Sequence, residues 1–157
     1  MVVHLHGGHS TEESDGFTEA WYLPAANNIP AGYATVGSLY DQFKSKFEGN
    51  VGESWDAGSA VFQYTNDQRA GTNWFHDHTL GMTRLNVYAG PAGFYLLRGG
   101  PADLPPSVLP GPAPKLADPP GTKYYEIPIA IQDRSFNSDG SLFYPASREF
   151  FDGFAGP

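Results

Sequence analysis

Cysteine is absent from this sequence, which excludes disulfides, zinc ribbons, a thiol nucleophile and any thiolate-bound metal supplied by the chain. That absence does not identify a compartment. Positive charge is scarce, with 9 Lys+Arg against 17 Asp+Glu and a formal charge of −8, which argues against nucleic acid or anionic membrane as partners. The same charge favours solubility and attracts cations. No apolar run approaches the roughly 18 residues that span a bilayer, and the start lacks the basic and apolar regions of a signal peptide. The chain is expected to carry no export address.

With 157 residues the chain is long enough to bury roughly 70% of the surface exposed by its unfolded form. Histidine then stands out. Four of the five histidines fall in two HxH pairs, His4 and His6 in VVHLHGGH and His76 and His78 in NWFHDHTLGM. In an extended strand, residues i and i+2 lie about 6.7 Å apart on one face, so each pair presents two imidazoles to the same side. Two such rails facing each other make a metal site, and imidazole nitrogens in this number favour copper or zinc. Asp77, between the second pair, points to the opposite face and reads as a structural carboxylate. His9 follows two glycines, so strand geometry does not fix its direction, and Asp15-Gly16 by itself reads as a turn.

Short extended runs separated by turn signals predict a mostly β chain. Strands are expected over 2–6, 60–65, 72–78, 93–98 and 124–132, with 60–65 and 72–78 forming a hairpin around the 67–71 turn and Pro128 marking an edge or bulge. One helix is expected over 38–47, where Leu39, Tyr40, Phe43 and Phe47 form an apolar stripe suited to core packing. Residues 99–121 are Pro-rich and cannot sustain either regular structure for long.

Read together, VHLHGG, SDGFTEAW, NWFHDHTLGMTRLNVYAGPAGFYLL and IPIAIQDRSFNSDGSLFYP resemble the first domain of a multicopper oxidase and the beginning of its second, with the bacterial spore-coat laccases and bilirubin oxidases most similar. The resemblance implies a cupredoxin-like Greek-key β-sandwich, incomplete in a single chain. It divides the sequence into a partial first cupredoxin-like domain (1–98) carrying both HxH pairs, a Pro-rich connection (99–123) and the start of a second such domain (124–157). It implies copper as the cofactor, with His4 on the type 2 copper of a trinuclear cluster and His6, His76 and His78 on the type 3 pair. Asp15, in the SDG motif, corresponds to an acid that helps deliver protons during oxygen reduction. Arg84 and Asn86 fit the family's pattern and read as packing and hydrogen-bonding residues behind the site; His9 lies outside the ligand set.

The departures from that pattern are equally specific. A complete cluster also takes histidines from the last domain and receives electrons from a type 1 copper on a cysteine, neither of which this sequence holds. The chain also opens just before the first ligand motif, without the strands that usually precede it. The expectation is therefore half of a trinuclear site. Its partners would be dioxygen, phenol-like small molecules and further copies of the chain in a homo-oligomer. Two other functions are weighed: a copper-binding module with little catalysis, and a mononuclear zinc hydrolase suggested by HxHxxH. The latter needs an acid where Gly8 stands.

Overall fold

The computed structural model describes residues 1–24, 29–105, 108, 115–145, 147 and 149–153. Its centre is a three-stranded antiparallel sheet in the order β1-β2-β3, with β1 at Val3–His6, β2 at Gly71–Asp77 and β3 at Ala92–Leu97. These segments lie within a residue of the runs expected from their β-branched and aromatic content. The antiparallel arrangement fits a partial cupredoxin-like β domain. Register pairs Val3 with Asp77, His4 with His76, Leu5 with Phe75 and His6 with Trp74, while Trp74 and His76 face Phe94 and Ala92 on β3. Pleat alternation then places His4, His6, Trp74 and His76 on one face and Leu5, Phe75 and Asp77 on the other.

The first helix, α1 (Tyr40–Val51), starts and ends later than the expected 38–47. Its stripe behaves as expected: Tyr40, Phe43 and Phe47 are buried, because positions three and four apart share one helix face. The helix continues past Phe47 to Gly52, whose left-handed conformation (φ 80°) and N–H bond to the Glu48 carbonyl at 2.8 Å end it. Phe43 stacks on Phe17 at 5.2 Å and Phe47 meets Trp55 edge-on at 5.3 Å. Val2, Ala20, Tyr22, Tyr40, Phe43 and Phe47 form a small buried core beside the edge strand β1.

Two expected strands do not form. Residues 60–65 join no ladder, because β2 already uses both of its edges on β1 and β3; the backbone N–H of Gln63 instead donates to the Ser14 hydroxyl at 3.0 Å. The expected 60–65/72–78 hairpin is thus replaced by the β1-β2-β3 ladder. Residues 124–132 also lack strand pairing, since Pro128 has no N–H to give and no described strand forms a ladder with them. Their Ile127, Ile129 and Ile131 stay exposed. Arg98 clamps this segment to the end of β3 through two bonds to Glu126, at 2.9 and 2.8 Å.

A second helix unforeseen in the sequence, α2 (Thr83–Ala89), packs against β2. The hairpin of β4 (Ser135–Phe136) and β5 (Leu142–Phe143) docks on it, with Tyr88 accepting the Ser135 N–H at 2.9 Å and donating to the Phe143 carbonyl at 2.7 Å. A last helix, α3, spans Glu149–Asp152. Part of the Pro-rich connection, 106–107 and 109–114, and positions 146, 148 and 154–157 of the expected second domain lie outside the described residues. No described helix is long and apolar enough to cross a membrane.

Candidate metal centre

Strands β1 and β2 bring both HxH pairs to one place. His4 and His76 are direct partners across the ladder, and His6 and His78 follow each of them by two positions. The four rings lie with centroids 4.7 to 5.7 Å from their neighbours, His4 and His78 nearly parallel at 4.7 Å and 21°. His4, His6 and His76 offer nitrogen atoms all within 4.8 Å of one another, close enough for one ion to engage several. His78 stands beside this trio, against His4.

Backbone carbonyls orient three of the rings. The Nδ1–H of His4 donates to the Asp15 carbonyl at 2.6 Å, that of His78 to the Gly16 carbonyl at 2.8 Å and that of His76 to the Asp77 carbonyl at 2.7 Å. A donor bond at Nδ1 selects the tautomer whose Nε2 lone pair is free for a metal. The Asp15-Gly16 segment can lie this close to β1 only because residue 16 is glycine. Its φ is +79°, and a Cβ there would stand 2.4 Å from the Val3 carbonyl oxygen. Burial holds the His76 imidazole below its usual pKa, helped by neighbouring His4, His78 and His6 and opposed by its bond to the Asp77 carbonyl. The neutral, ligand-competent ring is favoured.

Asp77 is fully buried on the far face and does not join the cluster. Its carboxylate accepts from the Val2 N–H (2.9 Å), the Thr79 N–H (3.0 Å), the Thr79 hydroxyl (2.8 Å) and the Asn86 amide (3.0 Å). It ties the start of β1, the end of β2 and α2 into one frame, which is the structural role its alternation implied. Asn86 serves behind the site as expected. Arg84 lies over the Tyr144 ring at 5.1 Å.

Asp15 stands next to His4, with its carboxylate exposed and 3.5 Å from His4 Nδ1. That ring's proton goes to the Asp15 backbone carbonyl instead, and the carboxylate accepts from the Ser10 hydroxyl at 3.2 Å. It is therefore open to solvent beside a candidate ligand. His9 turns away to Asp67 at 2.9 Å and is not a member of the metal-binding group among the described residues, so the HxHxxH arrangement of the zinc-hydrolase reading is not assembled. The sequence reading missed Trp74, whose ring centroid is 4.4 Å from that of His76 and 5.3 Å from that of His6. Its signal was the alternation that placed it two residues before His76. The carbonyls of Asp15 and Gly16 had no comparable signal, because they reach their histidines across the fold.

No protein-family model matches the chain. Curated relatives do. It is 37% identical over 145 residues to a laccase of Bacillus stratosphericus, covering 92% of this chain and 21% of that protein. It is 34% identical over 148 residues to a laccase of Bacillus subtilis, covering 94% and 22%. It is also 33% identical over 146 residues to multicopper oxidase LPR2 of Arabidopsis thaliana, covering 93% and 19%. The chain thus spans about a fifth of the length of the curated relatives it matches. An alignment running through nearly the whole chain, together with a face built from paired histidines, places the chain in the multicopper oxidase family.

Proposed function

We propose that this chain supplies one side of the oxygen-reducing copper site of a laccase-type oxidoreductase, with His4, His6, His76 and His78 as the copper ligands. The observation that carries this reading is the gathering of four imidazoles on one face, three with Nδ1 bonded to a carbonyl. Neutral imidazoles suit copper, which binds nitrogen sites most tightly among the divalent first-row metals. Copper, when bound, supplies the one-electron steps that link oxidation of phenol-like substrates to four-electron reduction of dioxygen to water. Four phenols each lose one electron and one proton, and dioxygen takes up the four electrons and four protons.

The chain's own residues orient the ligands and handle protons. Asp77, Asn86 and Thr79 hold the strand ends so that the HxH pairs stay in register. Asp15 accepts and releases protons beside His4, where its exposure connects the site to solvent. In this proposal, residues 1–98 belong to a first cupredoxin-like domain, 99–123 are the connection and 124–157 begin a second. The remaining ligands and the electron-accepting copper come from other polypeptide, because this sequence has neither a cysteine nor a second set of paired histidines. Self-association into a homo-oligomer is supported by the exposed Ile127, Ile129 and Ile131, apolar surface of the kind that another chain can cover.

The test is metal analysis of purified protein combined with sedimentation. Copper bound in an oligomer supports the shared-site reading, and a copper-free monomer at micromolar concentration overturns it. The absence of cysteine favours a second reading, a copper-binding module with little turnover. Copper-loaded protein without oxidase activity is the outcome that selects it.

A further inference from the structure

Three of the four clustered imidazoles have a hydrogen bond that fixes their planes, and the fourth does not. His6 is exposed and its ring makes no hydrogen bond among the described residues, yet that ring sits in the cluster with a nitrogen in ligand range of His4 and His76. What lies against it is Trp74. The indole is its direct partner across the β1–β2 ladder, with ring centroids 5.3 Å apart and planes tilted by 30°. The same indole lies 4.4 Å from the His76 ring at a tilt of 32°. Its flat surface therefore borders both imidazoles, one from each HxH pair.

We propose that Trp74 is a positioning residue for His6, doing by ring contact what the carbonyls of Asp15, Gly16 and Asp77 do for the other three histidines. The copper consequence rests on the reading proposed above; the orientation of the ring does not. A stacked or tilted indole restricts rotation of the imidazole plane without donating to or accepting from either nitrogen. His6 is consequently oriented but not locked in one tautomer, so either of its nitrogens can be presented to a metal. Trp74 is itself partly exposed, at 41%, and its replacement leaves the buried core beside α1 untouched.

Two measurements separate the parts of this inference. In metal-free protein, NMR of the histidine rings should show the His6 ring protons displaced by the indole ring current; Trp74→Leu should abolish that displacement while sparing His4 and His78. In Cu(II) titrations against a competing chelator, Trp74→Leu should weaken binding about threefold to tenfold, the range expected for one aromatic contact, and Trp74→Phe should retain most of the affinity. Placed on a His6→Ala background, Trp74→Leu should have no further effect. Unchanged His6 shifts in Trp74→Leu, or an equal loss of Cu(II) affinity with and without His6, would overturn the proposal. Wild-type protein that takes up no Cu(II) while showing the ring-current displacement upholds Trp74 as the orienting residue and overturns the copper reading.

Discussion

His4 and His76 face each other as direct partners across the β1–β2 ladder, their ring centroids 5.4 Å apart. The pairing makes one imidazole from each HxH motif depend on the other's strand register. A slip of one residue would turn each whole pair to the opposite face.

Copper binding should accordingly be lost from either side of this pair. His4→Ala and His76→Ala are each expected to lower bound copper severely, by at least tenfold in affinity, since removing a ligand costs no less than the roughly 10–100-fold typical of supporting residues. His9→Ala should leave most of it, because His9 is occupied with Asp67 outside the cluster. Metal analysis of the three variants checks this, and equal loss in all three would refute the ligand assignment.

Asp77 should matter for folding more than for chemistry. Its buried carboxylate receives four donors, from Val2 just before β1, Thr79 just after β2 and Asn86 in α2, and Asp77→Asn turns one acceptor into a donor that faces them. A loss of roughly 1.5–3 kcal/mol is expected for a disrupted charged hydrogen bond. Urea unfolding of metal-free protein should record it as a lower midpoint. Asn86→Ala, removing one donor from the same carboxylate, should show a smaller change.

The elements that could be read in the sequence are those whose evidence is local. Period-two spacing gave the common face of His4 and His6 and sent Asp77 the other way, and the Tyr40, Phe43 and Phe47 stripe marked α1. The failures needed information from elsewhere in the chain. The run at 60–65 has strand-like composition, but local propensity cannot know that both edges of β2 are taken. The Ile127–Ile131 alternation, likewise, cannot make a strand without a neighbouring edge. In α2, Thr83–Ala89 buries no residue fully, so there was no apolar stripe to detect; its position is marked by the Asn86 bond to Asp77. The bond between His78 and the Gly16 carbonyl spans 62 residues, a separation that leaves no periodic trace.

Acid should weaken the fold through Glu13. Burial raises the pKa of this carboxyl, but bonds from the Asn50 amide, its own backbone N–H and Thr11, with Lys46 nearby, outweigh that and hold it below its ordinary 4.5. A carboxyl lowered in the folded state contributes stability above its unfolded pKa, and that contribution disappears as pH falls through the folded value. Unfolding free energy should therefore decline below about pH 4.5. In Asn50→Leu, which removes the bond to Glu13 at 2.9 Å, the decline should be shallower. Parallel acid titrations of the two proteins by circular dichroism would show it, and superimposable profiles would contradict the role given to Glu13.

Catalysis by this chain alone should be slow. Efficient phenol oxidation in the proposed scheme needs an electron to pass through a copper held by a thiolate, and the 157 residues contain no cysteine. Two copies could pool eight histidines from their paired motifs, yet pooling adds no sulfur. The copper-loaded protein should consequently lack the intense blue absorption of a copper–thiolate bond. Residual oxidation of a phenol should be abolished by chelation, and His78→Ala should remove it as well, since that ring stacks on His4 and its Nδ1 is held by the Gly16 carbonyl. The assay is dioxygen uptake with metal-verified protein. Turnover as rapid as that of a complete laccase, without a blue band, would mean that electrons reach the histidine cluster by a route that needs no thiolate, and the division of labour proposed here would fail.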